Sequence, residues 1–580
     1  MNQKLLNFAR YINEHLKVFS NNQQYLYYYF VFVLMITNIV LLFTNSYNMV
    51  QNIAFIFLPL GVQMILMALP KKPGLMFLLL LPKSFLDAFQ LVLIALWGGS
   101  IIAVDMFLNL ATTNPGEAGE LLSDLIPILL VIIIIYVPSI ILSFKSLNKK
   151  RPIDKAFRRK KIRLGIIITI IGLGAIVIAI KGKKPFTIKY DLYPCNVIYN
   201  LDFAINKSKL MKDYKFFSKG FKYNSHRIIN QNCEDNNKKR EIYVLILGET
   251  GRAANWSLYG YNRKTTPHID TTSNIIKFSD VFTQSNTTHK IVSMLLTPAD
   301  AERYNYIYYT KSIISAFSEA GFKTIYLTNQ EYNQTFMQYY FDEADISLSV
   351  RHKGNNIDDQ TMIPYIKRII KKESKENLFI FIHLYGSHFK YQQRYGKEFA
   401  HYKPDMVENI SVKSKEKLIN SYDNSILNTD DFIHKIIQSI NNNNSTSALL
   451  YLSDHGEDLM DDKRNRFLHA SPVPTYYQLH IPFVIWFSEQ YIKNNPQKYQ
   501  NTIKHKDYPI SSNTVFHTML DMASISTGYL DSTLSVCSNN LEITPRVYLN
   551  DHDQAIPINK LNLTRYDYEQ IYKRGLYFKR

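Results

Sequence analysis

The amino-acid sequence predicts a membrane-anchored protein with an N-terminal bundle of five transmembrane helices and a C-terminal α/β domain built on a mostly parallel central sheet. At 580 residues, the chain exceeds what one compact core normally uses. Its long apolar runs are confined to residues 25–181, and the remainder alternates short apolar runs with amphipathic segments, as α/β domains do. We therefore place the transmembrane domain at 1–181, a linker at 182–235 and the C-terminal domain at 236–580.

Five segments are apolar over roughly the 20 residues that a helix needs to cross a bilayer. The third segment contains Lys83 and Asp87. These residues either face the interior of the helix bundle or place part of the segment in the membrane interface. No signal-peptide cleavage pattern precedes the first segment, so we expect it to be retained. The segments are 25–43, 53–69, 75–97, 125–144 and 164–180.

Basic residues orient these segments in the membrane. The loop between the fourth and fifth segments is rich in Lys and Arg, and Asp154 is its only acid. The positive-inside rule places this loop in the cytoplasm. The turn at Lys71 and Lys72 then also lies inside, whereas the loop 98–124, which has no Lys or Arg, lies outside together with everything after Lys181. A miscount of the segments would reverse this orientation, but two separate loops agree on it.

Charge and cysteines narrow the class of protein further. The formal net charge is +19, but much of it flanks the apolar segments, where lipid head groups attract basic residues. We therefore expect the membrane, and not a nucleic acid, as the partner of this charge. The cysteines Cys195, Cys233 and Cys537 form no CxxC pair, which argues against a zinc–thiolate site. One disulfide with one free thiol is possible, in any pairing.

The C-terminal domain contains short apolar runs rich in branched and aromatic residues, which predict buried strands. Helical patterns separate them, and this alternation predicts a parallel sheet whose ligands bind beyond the carboxyl ends of the strands. The predicted strands are 242–247, 324–327, 378–384, 448–452 and 482–486. The predicted helices include 310–320, 362–371 and 424–441.

Residues with metal-binding side chains follow two of these strands. The first strand leads into Gly248-Glu249-Thr250, and the fourth leads into Ser453-Asp454-His455-Gly456-Glu457. Carboxylate and imidazole donors together suit zinc or manganese. The cluster Ser285-Asn286-Thr287-Thr288 offers hydroxyl groups, and a hydroxyl beside a divalent ion becomes a nucleophile more readily. Taken together, these strand ends favour a metal-dependent site.

Each feature also has a purely structural explanation. A Gly-Glu-Thr sequence is typical of a turn followed by a helix cap. Single histidines in polar loops are usually solvated, and His289, His383 and His480 are candidates for this explanation. The combination of polar residues at several strand ends of one domain weighs against the structural explanation for the set as a whole.

The motifs resemble those of the bacterial phosphoethanolamine transferases, membrane-bound members of the alkaline phosphatase and sulfatase superfamily. The opening Gly248-Glu249-Thr250 is followed by Ser257-Leu258-Tyr259-Gly260-Tyr261 and Thr265-Thr266-Pro267, as in that family. The segments 453–457 and 113–118 resemble its second metal motif and its outer loop, so the resemblance covers nearly the whole chain. Within the family, 385–388 and 480–486 resemble the branch that modifies lipopolysaccharide core sugars.

The resemblance implies a C-terminal domain of alkaline phosphatase/sulfatase type with Thr288 as the nucleophile and Thr287 as the competing choice. It also implies one or two Zn²⁺ ions, with Mn²⁺ as an alternative. The implied metal ligands are Glu249, Thr288, Asp454 and His455. The residues implied to bind substrate or a second metal are His388, His469 and Asn329. The implied contacts with a lipid substrate are Asn109, Thr113 and Glu117.

The implied reaction moves phosphoethanolamine from phosphatidylethanolamine to lipopolysaccharide or lipid A through a phospho-threonine intermediate. It would take place on the periplasmic side of the bacterial inner membrane, with Lys290 and the histidines helping to neutralise phosphoryl charge. Ser285 and Met294 stand where well-known members have cysteines, so their disulfide framework is not expected here. The Cys-x-Pro-x-Arg motif of sulfatases is absent, which argues against sulfate-ester hydrolysis.

Three other functions fit the same features. One is a phosphoglycerol transferase of the lipoteichoic acid synthase type, which would use a different donor head group. Another is a membrane-bound phosphodiesterase or phosphatase that passes the group to water. The third is a degenerate membrane sensor without activity. The sequence also leaves the acceptor open, with lipid A phosphate and a core heptose both consistent with it.

Overall fold

The computed structural model describes residues 21–44, 47–97, 103–107, 125–149, 151–182, 186–228, 240–330, 336–351, 358–408, 410–441 and 445–576. The chain divides into two compact units, each with its own hydrophobic core. The first unit combines Met1–Val104 with Leu122–Phe203, and the second combines Asp105–Leu121 with Ala204–Arg580. The domain boundaries placed at residues 181 and 235 from the sequence stay predictions.

The first unit contains four helices long and apolar enough to cross a membrane, together with one bent pair of helices. Each of the four overlaps a predicted segment, which confirms the prediction of an N-terminal group of apolar helices. The first six helices described in this unit are α1 (Gln23–Thr44), α2 (Met49–Ala68), α3 (Pro73–Leu79), α4 (Leu81–Trp97), α5 (Ile126–Leu147) and α6 (Lys155–Ile180). Helix α6 begins nine residues before the predicted segment, because Asp154 caps its basic first turns by accepting from the N–H groups of Ala156 and Phe157.

The third predicted segment, 75–97, is the bent pair. Helices α3 and α4 meet at an angle of 63° instead of forming one straight span. Pro82, in the first turn of α4, explains the break, because proline has no N–H group to donate and its ring clashes with the carbonyl group four residues earlier. The segment is therefore either one broken span or a re-entrant pair of helices.

The two charges in this segment face the interior of the first unit. The ammonium group of Lys83 lies 2.7 and 2.9 Å from the carboxylate oxygens of Asp87, which is fully buried. Tyr193 donates a hydrogen bond of 2.6 Å to the same carboxylate, and Lys83 also donates to the carbonyl oxygen of Leu34. Of the two placements that the sequence allowed, the interior one is therefore correct.

We expect Asp87→Ala to destabilise the first unit by about 3–5 kcal/mol, because it leaves the Lys83 ammonium group buried without its counter-charge. Thermal unfolding of the full chain in detergent measures this loss. Asp154→Ala is a matched control, since it removes an acidic residue that only caps a helix and should cost about 1 kcal/mol. Equal losses in the two variants would contradict a structural role for the buried pair.

The second unit is built on a sheet of seven strands in the order β2-β7-β6-β1-β5-β3-β4. The strands are β1 (Glu241–Gly248), β2 (Ile275–Lys277), β3 (Lys323–Thr328), β4 (Ile346–Ser349), β5 (Leu378–His383), β6 (Thr446–Ser453) and β7 (Phe483–Phe487). Strand β7 pairs antiparallel with both of its neighbours, and all other pairs are parallel. The mostly parallel sheet and the five predicted strands are thus confirmed.

The central strand β1 explains why its sequence is apolar throughout. Ile242, Val244 and Ile246 belong to one buried cluster, whereas Tyr243 and Leu245 belong to another. Successive side chains of a strand point to opposite faces, so both faces of the sheet are covered. In a strand that is buried on both faces, apolar residues do not need to alternate with polar ones.

Helices cover the two faces of the sheet. All three predicted helices are present, and the third extends nine residues further toward the N-terminus than predicted. Of the helices after the first six, α7 (Ile188–Asp191) belongs to the first unit, and α8 (Cys195–Lys212) begins in the first unit and ends in the second. The helices of the second unit that follow are α9 (Tyr214–Phe217), α10 (Thr288–Leu296), α11 (Ile313–Glu319), α12 (Phe336–Phe341), α13 (Ile363–Lys372), α14 (Lys415–Asn441), α15 (Tyr476–Leu479), α16 (Glu489–Asn494), α17 (Pro496–His505), α18 (Thr514–Met522) and α19 (Arg565–Lys573).

Short paired strands bring further segments to the edge of the sheet. The hairpin of Asp458–Leu459 with Phe467–Leu468 leads directly into His469. Val281–Phe282, which pairs in parallel with Ile510–Ser511, precedes the hydroxyl cluster at 285–288. The remaining pairs are His226–Arg227 with Ile525–Ser526 and Val547–Leu549 with Ala555–Pro557.

Candidate active site

The site begins at the carboxyl ends of two neighbouring strands. Strands β1 and β6 run parallel in a register that pairs Gly248 with Ser453. The next residues, Glu249 and Asp454, therefore leave the sheet side by side, and the Asp454 N–H group donates to the Gly248 carbonyl oxygen at 3.1 Å. Parallel strands present their ligand-binding residues at this edge, as the sequence predicted.

Thr288, the first residue of α10, meets these strand ends. Its hydroxyl group donates to Glu249 Oε1 at 3.1 Å and lies 3.2 Å from His455 Nε2. The same His455 nitrogen lies 3.2 Å from Asp454 Oδ2. The structure thus brings together the four residues predicted as metal ligands, and Thr288 lies between two of them.

His455 presents a lone pair to this cluster. Its Nδ1 atom lies 3.0 Å from the carbonyl oxygen of Gly456, which can only accept a hydrogen bond. Nδ1 therefore carries the proton, and Nε2 faces Thr288 and Asp454 without one. Burial, followed by the charge of His469, holds the pKa of His455 well below its usual value, so the imidazole is neutral.

The convergence of electron-rich atoms indicates a cation site. Glu249, His455 and His469 each offer a donor atom, and these atoms lie within 4.8 Å of one another. His455 Nε2 and Asp454 Oδ2 face each other with no proton between them, because the His455 proton is on Nδ1. Two imidazoles with carboxylates form a donor set that suits a divalent transition metal. The residues present therefore fit the metal that the resemblance implied.

A second carboxylate orients His469. Nδ1 of His469 lies 3.4 Å from Glu457 Oε1, and Glu457 is fully buried. A carboxylate behind a metal-binding histidine fixes the orientation of its ring. The sequence predicted His469 as a substrate or second-metal residue, and the structure places it in the same donor cluster as Glu249 and His455.

His388 and Asn329 lie near this cluster but outside it. The ring centroids of His388 and His469 are 6.4 Å apart, and burial, followed by the charge of Arg394, lowers the pKa of His388 to about 3. Asn329 follows strand β3 and donates its side-chain N–H to Asp359 at 2.8 Å. Their predicted roles with substrate or a second metal stay predictions, as do the roles of Asn109, Thr113 and Glu117, which lie outside the described residues.

Two polar residues that the sequence did not single out support the ligands. Gln330 donates to Glu249 Oε2 at 3.3 Å and to the Leu384 carbonyl oxygen at 2.8 Å. The Asp359 carboxylate accepts the backbone N–H groups of Tyr385 and Gly386, each at 2.9 Å. Gln330 lies three residues after the predicted strand 324–327, which was a usable signal, whereas no signal in the sequence pointed to Asp359.

Three other expectations need correction. Lys290 does not lie toward the phosphoryl site, because its ammonium group contacts Asp105 at 2.9 Å and the Asn550 carbonyl oxygen at 2.8 Å. Side chains two residues apart on a helix point about 200° apart, so Lys290 cannot face the same way as Thr288. His383 and His480 are buried and not solvated, since one ends a central strand and the other bonds with Tyr476.

Unusual backbone conformations cluster around the site. Thr250 has a φ of 55°, and Leu468 and Ala470, on either side of His469, have φ values of 66° and 61°. Non-glycine residues in this left-handed region are strained unless the surrounding structure holds them. The residues that follow or flank Glu249 and His469 are thus held in defined, strained positions.

We expect Gly386→Ala to destabilise the second unit by about 1–3 kcal/mol and to lower its metal content. Gly386 has a φ of 51°, and an added Cβ atom would lie 2.8 Å from the backbone nitrogen and oxygen of Glu249. Denaturant unfolding and metal analysis measure the two effects. Gly528→Ala is the control, since no atom of the described residues lies within 4 Å of the added atom there. Wild-type stability and metal content in Gly386→Ala would contradict this packing argument.

Comparisons with known proteins agree with this geometry. A model of the Sulfatase family matches residues 241–525. Phosphoethanolamine transferase EptC of Escherichia coli K12 is 24% identical over 516 residues, which cover 80% of this chain and 85% of the relative. The zinc-complexed C-terminal periplasmic domain of E. coli EptC superposes with a TM-score of 0.52 and 26% identity, over 57% of this chain and 95% of that domain.

A further solved structure extends the likeness to the membrane part. The integral membrane protein lipooligosaccharide phosphoethanolamine transferase A of Neisseria meningitidis superposes with a TM-score of 0.67 over 88% of this chain and 97% of its own. At 20% identity this match shows the fold alone, which is a set of N-terminal apolar helices followed by an α/β domain with a mostly parallel sheet. The chain therefore contains a sulfatase-family domain at residues 241–525, and it is similar in sequence to phosphoethanolamine transferases and in fold to a membrane-anchored one.

Proposed function

We propose that this protein transfers phosphoethanolamine from phosphatidylethanolamine to a lipopolysaccharide or lipid A acceptor at the periplasmic face of the bacterial inner membrane. The observation that carries the proposal is the Thr288 hydroxyl group, which lies between Glu249 Oε1 and His455 Nε2. A hydroxyl group among metal-binding donors is the arrangement expected for a nucleophile. The names of the relatives support the transferred group.

We propose Zn²⁺ as the metal, held by Glu249, Asp454 and His455 together with the Thr288 oxygen, and with His469 available to the same or a second ion. When bound, zinc would withdraw charge from the Thr288 oxygen and from the phosphoryl oxygens. The zinc in the related E. coli domain and the carboxylate–imidazole donor set support this choice over Mn²⁺.

The protein residues perform two displacements on one phosphorus atom. The Thr288 oxygen forms a bond to phosphorus, and the bond between phosphorus and the diacylglycerol oxygen breaks. The Thr288 hydroxyl group donates a hydrogen bond to Glu249 Oε1, so its proton can pass to this carboxylate and then to the diacylglycerol oxygen as that group leaves. In the second step an acceptor oxygen attacks the same phosphorus, the bond to Thr288 breaks, and the proton that the acceptor loses restores the threonine hydroxyl group. Positioning contributes most to such a transfer.

The membrane part is consistent with this chemistry. A phospholipid donor does not readily leave the bilayer, so an enzyme that uses one benefits from an anchor that keeps it at the membrane surface. The product would gain an ammonium group, and it would lose net negative charge where the acceptor is a phosphate. We propose the inner membrane as the location because this is where a periplasmic enzyme meets both the donor and the newly made glycolipid.

Head-group transfer in vesicles tests the proposal. The full chain is reconstituted with lipopolysaccharide and with either phosphatidylethanolamine or phosphatidylglycerol, each labelled in its head group. We expect label from phosphatidylethanolamine to appear on the glycolipid. Transfer from phosphatidylglycerol would instead support the phosphoglycerol transferase, and release of free phosphoethanolamine without labelled glycolipid would support a phosphodiesterase. No reaction with any donor would favour the sensor.

A further inference from the structure

A buried ion cluster lies beside the helix that carries Thr288. Lys290, two residues further along α10, is only 1% exposed. Its ammonium group contacts Asp105 Oδ1 at 2.9 Å, Asp553 Oδ1 at 3.2 Å and the Asn550 carbonyl oxygen at 2.8 Å. His289 Nε2 lies 3.6 Å from the same oxygen of Asp105. Asp105 therefore meets two consecutive residues of the Thr288 helix.

The charges in this cluster compensate one another. Asp553 also pairs with Lys207 at 2.7 Å, so two ammonium groups face two carboxylates. The Lys290 ammonium group therefore has two carboxylate partners within 3.2 Å, Asp105 and Asp553. A desolvated pair of this kind fixes the positions of its members, because separating them exposes an uncompensated charge.

Asp105 has an unusual place in the chain. In the sequence it stands in the segment 98–124, between the third and fourth predicted membrane segments and eight residues after the end of α4. In the structure it groups with the second unit, beside residues that follow it by more than a hundred positions. Asp105, which follows the third predicted membrane segment in sequence, therefore contacts the Thr288 helix within the second unit.

We propose that Asp105 is a positioning residue for the lipid donor, because its ion pair with Lys290 fixes the Thr288 helix to the chain that emerges from the membrane. The inference rests on the proposed function and deepens it. The bilayer sets the depth of a phospholipid's phosphorus atom, so a nucleophile must be held at a matching depth to reach it. A water-soluble diester diffuses to the nucleophile and has no such requirement.

The test compares two donors that share the phosphoethanolamine group and differ only in their acyl chains. These donors are phosphatidylethanolamine in vesicles and sn-glycero-3-phosphoethanolamine in solution, used with the full-length protein and its glycolipid acceptor. We expect Asp105→Asn to lower kcat/KM for the lipid donor by about 10-fold or more, and to change it less than about 3-fold for the soluble donor. Lys290 keeps Asp553 and Asn550 as partners in this variant.

Two variants control for general damage to the fold. Asp553→Asn removes the other carboxylate on Lys290, but its chain segment adjoins no membrane segment, so it should change kcat/KM for both donors by the same factor. Asp105→Glu keeps the charge and should restore most of the transfer from the lipid donor. Circular dichroism and thermal unfolding confirm that each variant is folded.

The outcomes separate this inference from the function on which it rests. A selective loss with the lipid donor in Asp105→Asn, reversed in Asp105→Glu, supports it. Equal losses with both donors, or no loss with either, overturn it even if the wild-type protein transfers phosphoethanolamine normally. Failure of the wild-type protein to use phosphatidylethanolamine would overturn the proposed function, and the inference with it.

Discussion

Replacement of Thr288 by alanine is expected to lower kcat for phosphoethanolamine transfer by about 10³-fold or more, because it removes the oxygen that forms the covalent bond to phosphorus. Thr288→Ser keeps an oxygen and should retain measurable transfer. The Thr288 side chain is part-buried and its hydroxyl group contacts Glu249 and His455, so neither change should unfold the protein. Head-group transfer to the glycolipid measures both variants.

Thr287→Ala provides the matched control, since Thr287 is the adjacent hydroxyl residue and was the competing choice from sequence. Its hydroxyl group lies 3.2 Å from that of Ser285 and makes no capping bond to helix α10. We expect less than about a 3-fold change in kcat, as for the loss of one ordinary hydrogen bond. Full activity in Thr288→Ala with loss in Thr287→Ala would assign the nucleophile to Thr287 and leave the proposed reaction in place.

Removal of the metal is expected to lower kcat by a factor similar to that of Thr288→Ala. Treatment with a chelator should abolish transfer, and added Zn²⁺ should restore it. His455→Ala should lower the metal content of the purified protein, and it should lower kcat by about 100-fold or more. The reason is that the Nε2 lone pair of His455 faces Thr288 Oγ1 and Asp454 Oδ2, each at 3.2 Å. Elemental analysis of the purified protein, run beside the transfer assay, measures the two quantities.

His434→Ala is the control for any effect on metal content or activity that comes from removing a histidine outside the cluster. His434 stacks on His268 at 4.7 Å between ring centroids and hydrogen-bonds with Gln438, away from the cluster of Glu249 and His455. This variant should keep its metal and its activity. Wild-type metal content and transfer in His455→Ala would show that the donor cluster does not hold the catalytic metal.

The architecture of the second unit was largely predictable because its central strands are buried on both faces. A run such as 242–247 is apolar throughout, and only a strand covered by helices on both sides has that composition in an α/β domain. The same reasoning located Glu249 and Asp454, since parallel strands place their following residues at one edge. Helix ends were less predictable, because capping by residues such as Asp154 extends helices beyond their apolar stretch.

Residues that act through distant contacts were not predictable from local pattern. Gln330 and Asp359 belong to no metal-binding motif, and only the fold shows that they hold Glu249 and the turn at Gly386. Lys290 follows the nucleophile closely in sequence, which suggested a role with the phosphoryl group. Lys290 pairs with Asp105, which lies far away in sequence, so the direction of the Lys290 side chain could be seen only in the structure.

The central claim is that phosphoethanolamine is carried on Thr288. The most direct test is to incubate the metal-loaded, full-length protein with head-group-labelled phosphatidylethanolamine and no acceptor, quench it with acid, and analyse its peptides by mass spectrometry. We predict one phosphoethanolamine group on Thr288, which disappears when lipopolysaccharide is added before the quench and labelled glycolipid forms. Formation of labelled glycolipid while the peptide containing Thr288 stays unmodified at every time point would contradict the account.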